Sequence, residues 1–542
     1  MTDNTDVFGS VWANNVFRDR YSMNGVESWA DMCRRVVTSV CGQLLDAETQ
    51  EEIYQIMLAR KFIPGGRYLY ASGREIHQVN NCFLFRGEQD TREEWASLMQ
   101  RSTECLMTGG GIGVDYSRFR ASGTPLKRMG GFASGPIALM HMVNESGRYI
   151  RMGGSRRSAI WAGLNWSHGD ASEFIHLKDW PKHLTDLKEV DREFNMPMEL
   201  TNISVIYDTE FFMAIEDRQH PRHRLAKEVW ADNCRQAFQS AEPGMAFNFC
   251  KDAESLRNAC TEVTSEEDSD KCNLGTVWLP HCTDRDDFGR VCRLATQFLL
   301  CGGLYSDVPN ERIREVGLKN NRIGLGLGGI AEWLMARGMP YTVTTELHKW
   351  LAVYARESDS AAYVGARQLG VAVPLGKRAI APTGTIGILA ETTTGIEPLF
   401  SKAYKRRYHE GDVKKYQYVV DGAVKRLQSQ GIPTEHIFDT YDISFKDRVK
   451  FQADVQQYVD MAISSTCNME HWGSETNNEK TVAANARTLL KYAKRLRGFT
   501  CYPDGARGGQ PLTRVDLDEA LAQEGQVFED NEQACFSGVC GI

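Results

Sequence analysis

The stretch NISVIYD, Asn202 to Asp208, is a short β-branched and apolar run. It is followed by EVWADNCRQAFQSA, Glu228 to Ala241, in which apolar residues recur at helical spacing. A strand leading into an amphipathic helix is one unit of an α/β fold. The alternation continues outward: VCRLATQFLLCGGLY (291–305) reads as a helix, RIGLGLGGIA (322–331) as a strand entering a helix, and AIAPTGTIGIL (379–389) as strand, turn and helix. From about 62 to 400 this order predicts an α/β core. Before it, ESWADMCRRVVTSVCGQLLDAETQEEIYQIMLA (27–59) alternates apolar and charged positions at helical spacing and predicts a small helical cap over 1–60. After it, 405–500 is richer in charge, and HIFDTYDISFKDRVKFQADVQQYVDMAISSTC (436–467) and KTVAANARTLLKYAKRLRG (480–498) predict helices packed around the core. Past 505, ARGGQPLTRVD and the acidic LDEALAQEGQVFEDNEQA lead to CFSGVCGI, a composition that predicts a flexible tail over 506–542. The segment 61–505 is then the core with its helical additions.

With 542 residues the chain can bury a large core, and its 42% hydrophobic and 25% charged residues match ordinary soluble usage. No apolar run approaches the ~20 residues of a membrane helix, which argues against a membrane partner. The opening MTDNTDVFGSVWANN lacks a basic region followed by an apolar stretch, so the expected location is cytoplasmic. A net charge of -8 excludes a broad phosphate-neutralising surface, and duplex DNA is not an expected partner. Fifteen cysteines without paired C-x-x-C spacing predict free thiols and no metal site.

The densest chemical signal is Arg257-Asn258-Ala259-Cys260-Thr261-Glu262, with Cys272-Asn-Leu-Gly after it. If this segment is extended, residues i, i+2 and i+4 put an amide, a thiol and a carboxylate on one side. The same alternation could be the wet face of an edge strand. Gly324-Leu-Gly326-Leu-Gly328-Gly329 satisfies G-x-G-x-x-G, but it lies mid-chain after a helix-like stretch and is not read as a dinucleotide site.

These residues belong to an ordered set: Asn80-Asn81-Cys82-Phe83, Gly109 to Gly113, Gly153 to Arg157, Asn258 to Glu262, Cys272, Ala381-Pro382-Thr383-Gly384-Thr385, and the terminal Cys535 and Cys540. In that order, from roughly residue 60 to 542, the chain resembles the large catalytic subunit of ribonucleotide reductases, most of all the adenosylcobalamin-dependent branch. The resemblance implies a ten-stranded α/β barrel with a central finger loop and helical elements at both ends, and reduction of ribonucleotides to 2'-deoxyribonucleotides. It implies that Cys260 becomes a thiyl radical that takes the substrate's 3'-hydrogen, that Glu262 accepts the 3'-hydroxyl proton and that Asn258 orients that hydroxyl. Cys82 and Cys272 match the reducing pair that ends as a disulfide, and Cys535 and Cys540 match a shuttle recharged by a thioredoxin or glutaredoxin-type reductant. Asn81, Gly111, Pro382, Thr383, Gly384 and Thr385 match substrate contacts, the last four in a phosphate loop. Arg118 and Arg120, with Gly154, Ser155, Arg156 and Arg157, match the loops through which deoxynucleotide or ATP effectors set substrate choice.

Members of the family differ in radical source. Gly498-Phe-Thr-Cys501-Tyr502-Pro-Asp504-Gly505 resembles the Tyr-Arg-Asp-Gly stretch of cobalamin-dependent relatives, and the chain contains no Tyr-Tyr dipeptide. Adenosylcobalamin is therefore the expected cofactor; the alternative is no cofactor on this chain and a radical delivered by a separate metal-containing subunit. The chain ahead of Cys82 is too short for both the cap and an ATP cone, so on-off control by ATP and dATP is not expected. No large insertion is evident between Gly113 and Gly153, which leans toward a homodimer. A non-catalytic nucleotide-binding relative is disfavoured by the full thiol set.

Overall fold

The computed structural model describes residues 7–127, 129–150, 158–191, 194–249, 254–410, 413–507, 510 and 512–529. Its centre is a ring of parallel strands in two groups. β1 (Cys82–Arg86), β2 (Gly111–Asp115), β3 (Ile160–Asn165), β4 (Thr201–Asp208) and β5 (Gly244–Asn248) pair side by side, all parallel. β6 (Asp270–Trp278) and β7 (Ile323–Gly328) are parallel to each other, as are β8 (Thr466–Met469) and β9 (Gly498–Pro503). The segment 378–380 joins these two pairs through parallel bridges, Leu325 to Arg378 and Ile380 to Ile463. Two antiparallel seams, β1 with β6 and β5 with β9, close the ring. With 378–380 as a stave, the ring is the expected ten-stranded α/β barrel.

The strands divide their faces by residue type. Phe83, Phe85, Ile112 and Val114 point outward into a core shared with the helices Arg92–Met107 and Pro136–Tyr149, while Cys82 and Leu84 face inward. Ile323, Leu325 and Leu327 pack outward against the helices Arg285–Tyr305 and Thr345–Leu369, and glycines alternate with them. A Cβ on Gly326 would lie 2.8 Å from the Ala379 carbonyl oxygen, so the G-x-G-x-x-G pattern answers a close approach between staves. The N-terminal helices Trp29–Cys41 and Ala47–Leu58 bury Trp29, Val36, Ile53 and Ile56 against the same outer core. No helix among the described residues is long and apolar enough to cross a membrane.

Inside the ring runs a finger. Its two strands, Leu256–Arg257 and Thr264–Ser265, pair antiparallel, and Leu256 and Val263 pack against Leu84, Leu274, Ala379 and Met461 of the inner wall. Arg257 is fully buried and donates to the carbonyls of Phe247 (3.0 Å) and Arg497 (3.2 Å), tying the finger to β5 and to the approach to β9. The finger needs Gly113: a Cβ there would sit 1.7 Å from the Arg257 carbonyl oxygen. Gly113→Ala is therefore expected to destabilise the protein by about 3 kcal/mol or more, at the upper end of overpacking costs. A thermal unfolding midpoint equal to the parent's would contradict this packing.

Two stretches differ from the sequence expectation. The charged region after 400 opens with a β-hairpin, Ala403–Glu410 against Val413–Val420, where helices were expected. Its Tyr/Val alternation carries the period-two signal that the dense charge obscures. The start of the expected flexible tail is folded: Leu512–Arg514 and Val527–Glu529 add to the hairpin's two edges, and Phe528 stacks on Tyr416 at 5.1 Å.

Candidate active site

The residues singled out from the sequence converge at the finger tip. The segment Asn258 to Glu262 is not extended; the Thr261 N–H donates to the Asn258 carbonyl at 3.0 Å, and Thr261 takes a left-handed φ of 68°. This turn, rather than strand alternation, gathers the amide, thiol and carboxylate. The tip is pinned from both walls, by Asn202 Nδ2 to the Ala259 carbonyl (3.0 Å) and by the Ala462 N–H to the Glu262 carbonyl (2.8 Å).

Cys82 and Cys272 lie directly opposite one another across the β1–β6 seam. Opposed antiparallel residues have Cα atoms about 4.5–5.5 Å apart, within disulfide range. Both thiols are buried, whereas Cys260 is partly exposed. Asn258 Nδ2 donates to Cys82 Sγ at 3.0 Å, while its Oδ1 accepts from the Val263 N–H at 2.9 Å. Burial holds the Cys82 and Cys272 thiols above the ordinary range; neighbouring Glu262 adds to the effect on Cys82, and Asp270 to that on Cys272. Glu262 is 2% exposed, and burial pushes its carboxyl up to about 7 against the restraint of its own backbone N–H and the Asn258 amide. Its Oε2 is a buried oxygen without a hydrogen-bond partner.

One cavity joins these groups to the predicted phosphate loop. Asn81, Cys82, Gly111, Asn258, Cys260 and Glu262 line one part, and Pro382, Thr383, Gly384 and Thr385 the other. Thr383 stands at φ 49° ahead of a short helix, Gly384–Ala390, and a Cβ on Gly384 would meet open space. The Asn81 Oδ1 and Thr383 Oγ1 atoms are buried without partners, as polar groups are where a ligand completes them. Gly65, Gly66 and Thr276 also line the cavity and were missed in the sequence. The Gly-Gly of FIPGGRY was the available signal, since a Cβ on Gly65 would lie 2.6 Å from Asn81 Oδ1.

Other predicted residues lie elsewhere. Arg118 and Arg120, at the end of β2, are paired with Glu88 and Asp90 on the surface. Gly154, Ser155, Arg156 and Arg157, with Cys535 and Cys540, fall outside the described residues.

The profile of the family described as "Ribonucleotide reductase, barrel domain" matches residues 80–349 and 377–502. The chain is 27% identical to the vitamin B12-dependent ribonucleoside-diphosphate reductase of Mycobacterium tuberculosis, over 98% of this chain and 83% of that one. It is 26% identical to the protein of the same name from Thermoplasma acidophilum (88% and 68% covered). It is also 28% identical to a putative adenosylcobalamin-dependent ribonucleoside-triphosphate reductase of Mycobacterium phage D29 (95% and 96%). A profile match over most of the chain, on a barrel with its finger in place, means that this protein belongs to the ribonucleotide reductase family.

Proposed function

We propose that this protein reduces ribonucleotides to 2'-deoxyribonucleotides with adenosylcobalamin as radical source. The observation that carries the reading is a partly exposed Cys260 in one cavity with Asn258, Glu262 and Cys82, the last facing Cys272 across a seam. Cys260 as a thiyl takes the 3'-hydrogen, Asn258 orients the 3'-hydroxyl and Glu262 accepts its proton. Cys82 and Cys272 give two electrons and two protons; the 2'-hydroxyl leaves as water, a carbon–hydrogen bond replaces it, and a sulfur–sulfur bond joins the pair. Cys260 recovers its hydrogen atom at the end. Thr383, Gly384 and Thr385, with Asn81 and Gly111, hold the substrate, its phosphates against the loop.

The named relatives support the cofactor, and so does Gly498. A Cβ on this β9 residue would lie 4.0 Å from Thr261 Oγ1, so a side chain here would approach the finger tip, yet the position carries no phenol. Thr261, beside Gly498, and Cys260, which lines the cavity, are the residues the cofactor would meet. When bound, adenosylcobalamin supplies the carbon-centred radical that takes a hydrogen atom from a thiol. Delivery from a separate metal-containing subunit through a tyrosine pair fits a glycine here less well.

Cys535 and Cys540 act as the shuttle to a thioredoxin or glutaredoxin-type reductant, and Arg118, Arg120 and the 154–157 loop as effector contacts. None of the twelve described cysteines is in a disulfide, which suits a cytoplasmic enzyme. The reading is tested by incubating purified protein with CDP or CTP, dithiothreitol and deoxynucleotide effectors, with and without adenosylcobalamin. Deoxynucleotide formed only with the cofactor supports it; inactivity with the cofactor but activity with a metal-loaded subunit keeps the reaction and replaces the radical source.

The end of the cap also braces the far end of the helix that follows the phosphate loop. Arg60 Nη1 donates to Glu391 Oε2 at 2.6 Å, just past the helix that follows the phosphate loop. Arg60→Ala is expected to raise the nucleotide KM roughly three- to tenfold with kcat within about twofold, the signature of lost uniform binding. Steady-state kinetics check it.

A further inference from the structure

The finger enters and leaves the barrel through a buried ionic knot outside the cavity. Arg322, just before β7, sends its Nη2 to Glu254 Oε1 (2.6 Å) and its Nε to Asp270 Oδ2 (2.7 Å). Glu254 precedes the finger's ascending strand, and Asp270 opens β6, the strand that carries Cys272. Asp270 Oδ2 also accepts from the Ser265 hydroxyl (2.6 Å) and the Asn320 amide (2.9 Å), while Glu254 Oε2 accepts from the Thr264 hydroxyl. Thr264 and Ser265 form the descending strand. One guanidinium thus holds both legs of the finger and the strand bearing half of the cysteine pair.

Stability does not account for this arrangement. The Arg322 and Asp270 side chains are 3% and 0% exposed, and an ion pair this dry is commonly no more stabilising than apolar residues of the same volume. What a planar fork between two carboxylates does provide is fixed geometry. The tip above it carries Thr261 in a left-handed conformation, which persists only where the surroundings over-determine it.

We propose that Arg322 is a positioning residue for catalysis: through Glu254 and Asp270 it fixes the Cys260 thiol relative to the Cys82–Cys272 pair. The proposal rests on the roles given to those cysteines above. Lysine at 322 keeps the charge but presents its donors from a single atom, so it cannot reproduce the planar fork that sends separate nitrogens to Glu254 and Asp270.

Two readouts on Arg322→Lys test it: steady-state kinetics, and iodoacetamide alkylation of each cysteine in substrate-free protein, followed by peptide mass spectrometry. The expected result is a kcat at least tenfold lower with KM within twofold, and alkylation of Cys260 several-fold faster with Cys33, Cys105 and Cys292 unchanged. Glu254→Gln, a milder cut in the same knot, is expected to move both readouts in the same direction by less, and it decides the matter if the lysine variant does not fold. Parent-like kinetics, a kcat loss without a selective change at Cys260, or faster alkylation at every buried cysteine together would overturn the proposal. If the parent reduces no ribonucleotide, the function proposed above fails, while the Cys260 alkylation rates still judge the clamp.

Discussion

Cys260→Ser is expected to abolish deoxynucleotide formation, by at least ~10³-fold, while leaving fold and nucleotide binding intact. An alcohol O–H bond is much stronger than a thiol S–H bond, so a serine at the finger tip cannot be converted to a radical under conditions that convert a cysteine. The substitution is nearly isosteric, and the tip's anchors are backbone groups, the Ala259 and Glu262 carbonyls, which serine keeps. Loss of product with unchanged thermal unfolding and unchanged equilibrium binding of CDP or CTP is the expected pattern. Residual turnover above a few per cent of the parent would remove Cys260 from the chemistry.

The second large effect falls on Glu262. A base must be ionised to accept a proton, and the Glu262 carboxyl is pushed up to about 7 by burial. Activity should therefore rise with pH across about 6 to 8 and level off above, whereas an ordinary exposed glutamate would be fully ionised throughout. Glu262→Gln is expected to lower kcat by roughly 10²- to 10⁴-fold and flatten this profile.

The same carboxyl links pH to stability. Its folded pKa lies above its unfolded value of 4.5, so the folded state favours the neutral acid; that contribution is present below about 4.5 and is lost as pH rises through 7. The loss is on the order of 3 kcal/mol. Glutamine is neutral at every pH, so the variant should unfold at a higher temperature than the parent at pH 8, with the gap closing near pH 4. A parent more stable than the variant at pH 8 would contradict the burial argument.

The fold was legible where strand and helix alternate in single units. NISVIYD and RIGLGLGG are staves of the barrel, and the glycines that imitate a dinucleotide motif are the inner face of one of them. Asn258, Cys260 and Glu262 could be picked out because three functional groups stood close together in the chain. Their local geometry could not: period-two spacing suggested an extended segment, and the turn at Thr261 depends on contacts with Asn202 and Ala462, far away in sequence. The hairpin after residue 400 was hidden by its lysines and arginines. The Arg322 knot had no signal at all, since Glu254, Asp270 and Arg322 are unremarkable charges until the barrel buries them together.

The seam between β1 and β6 has a mechanical consequence. Cβ atoms of residues opposed across an antiparallel pair lie about 4.5–5.5 Å apart, and a disulfide needs about 3.5–4.5 Å. Closing the Cys82–Cys272 bond therefore calls for about 1 Å of travel between strands already tethered to one another. In the cycle proposed for this pair, the cross-link would form and break between strands the seam already holds in register, so oxidation would call for a shift of that order rather than a rearrangement of the chamber.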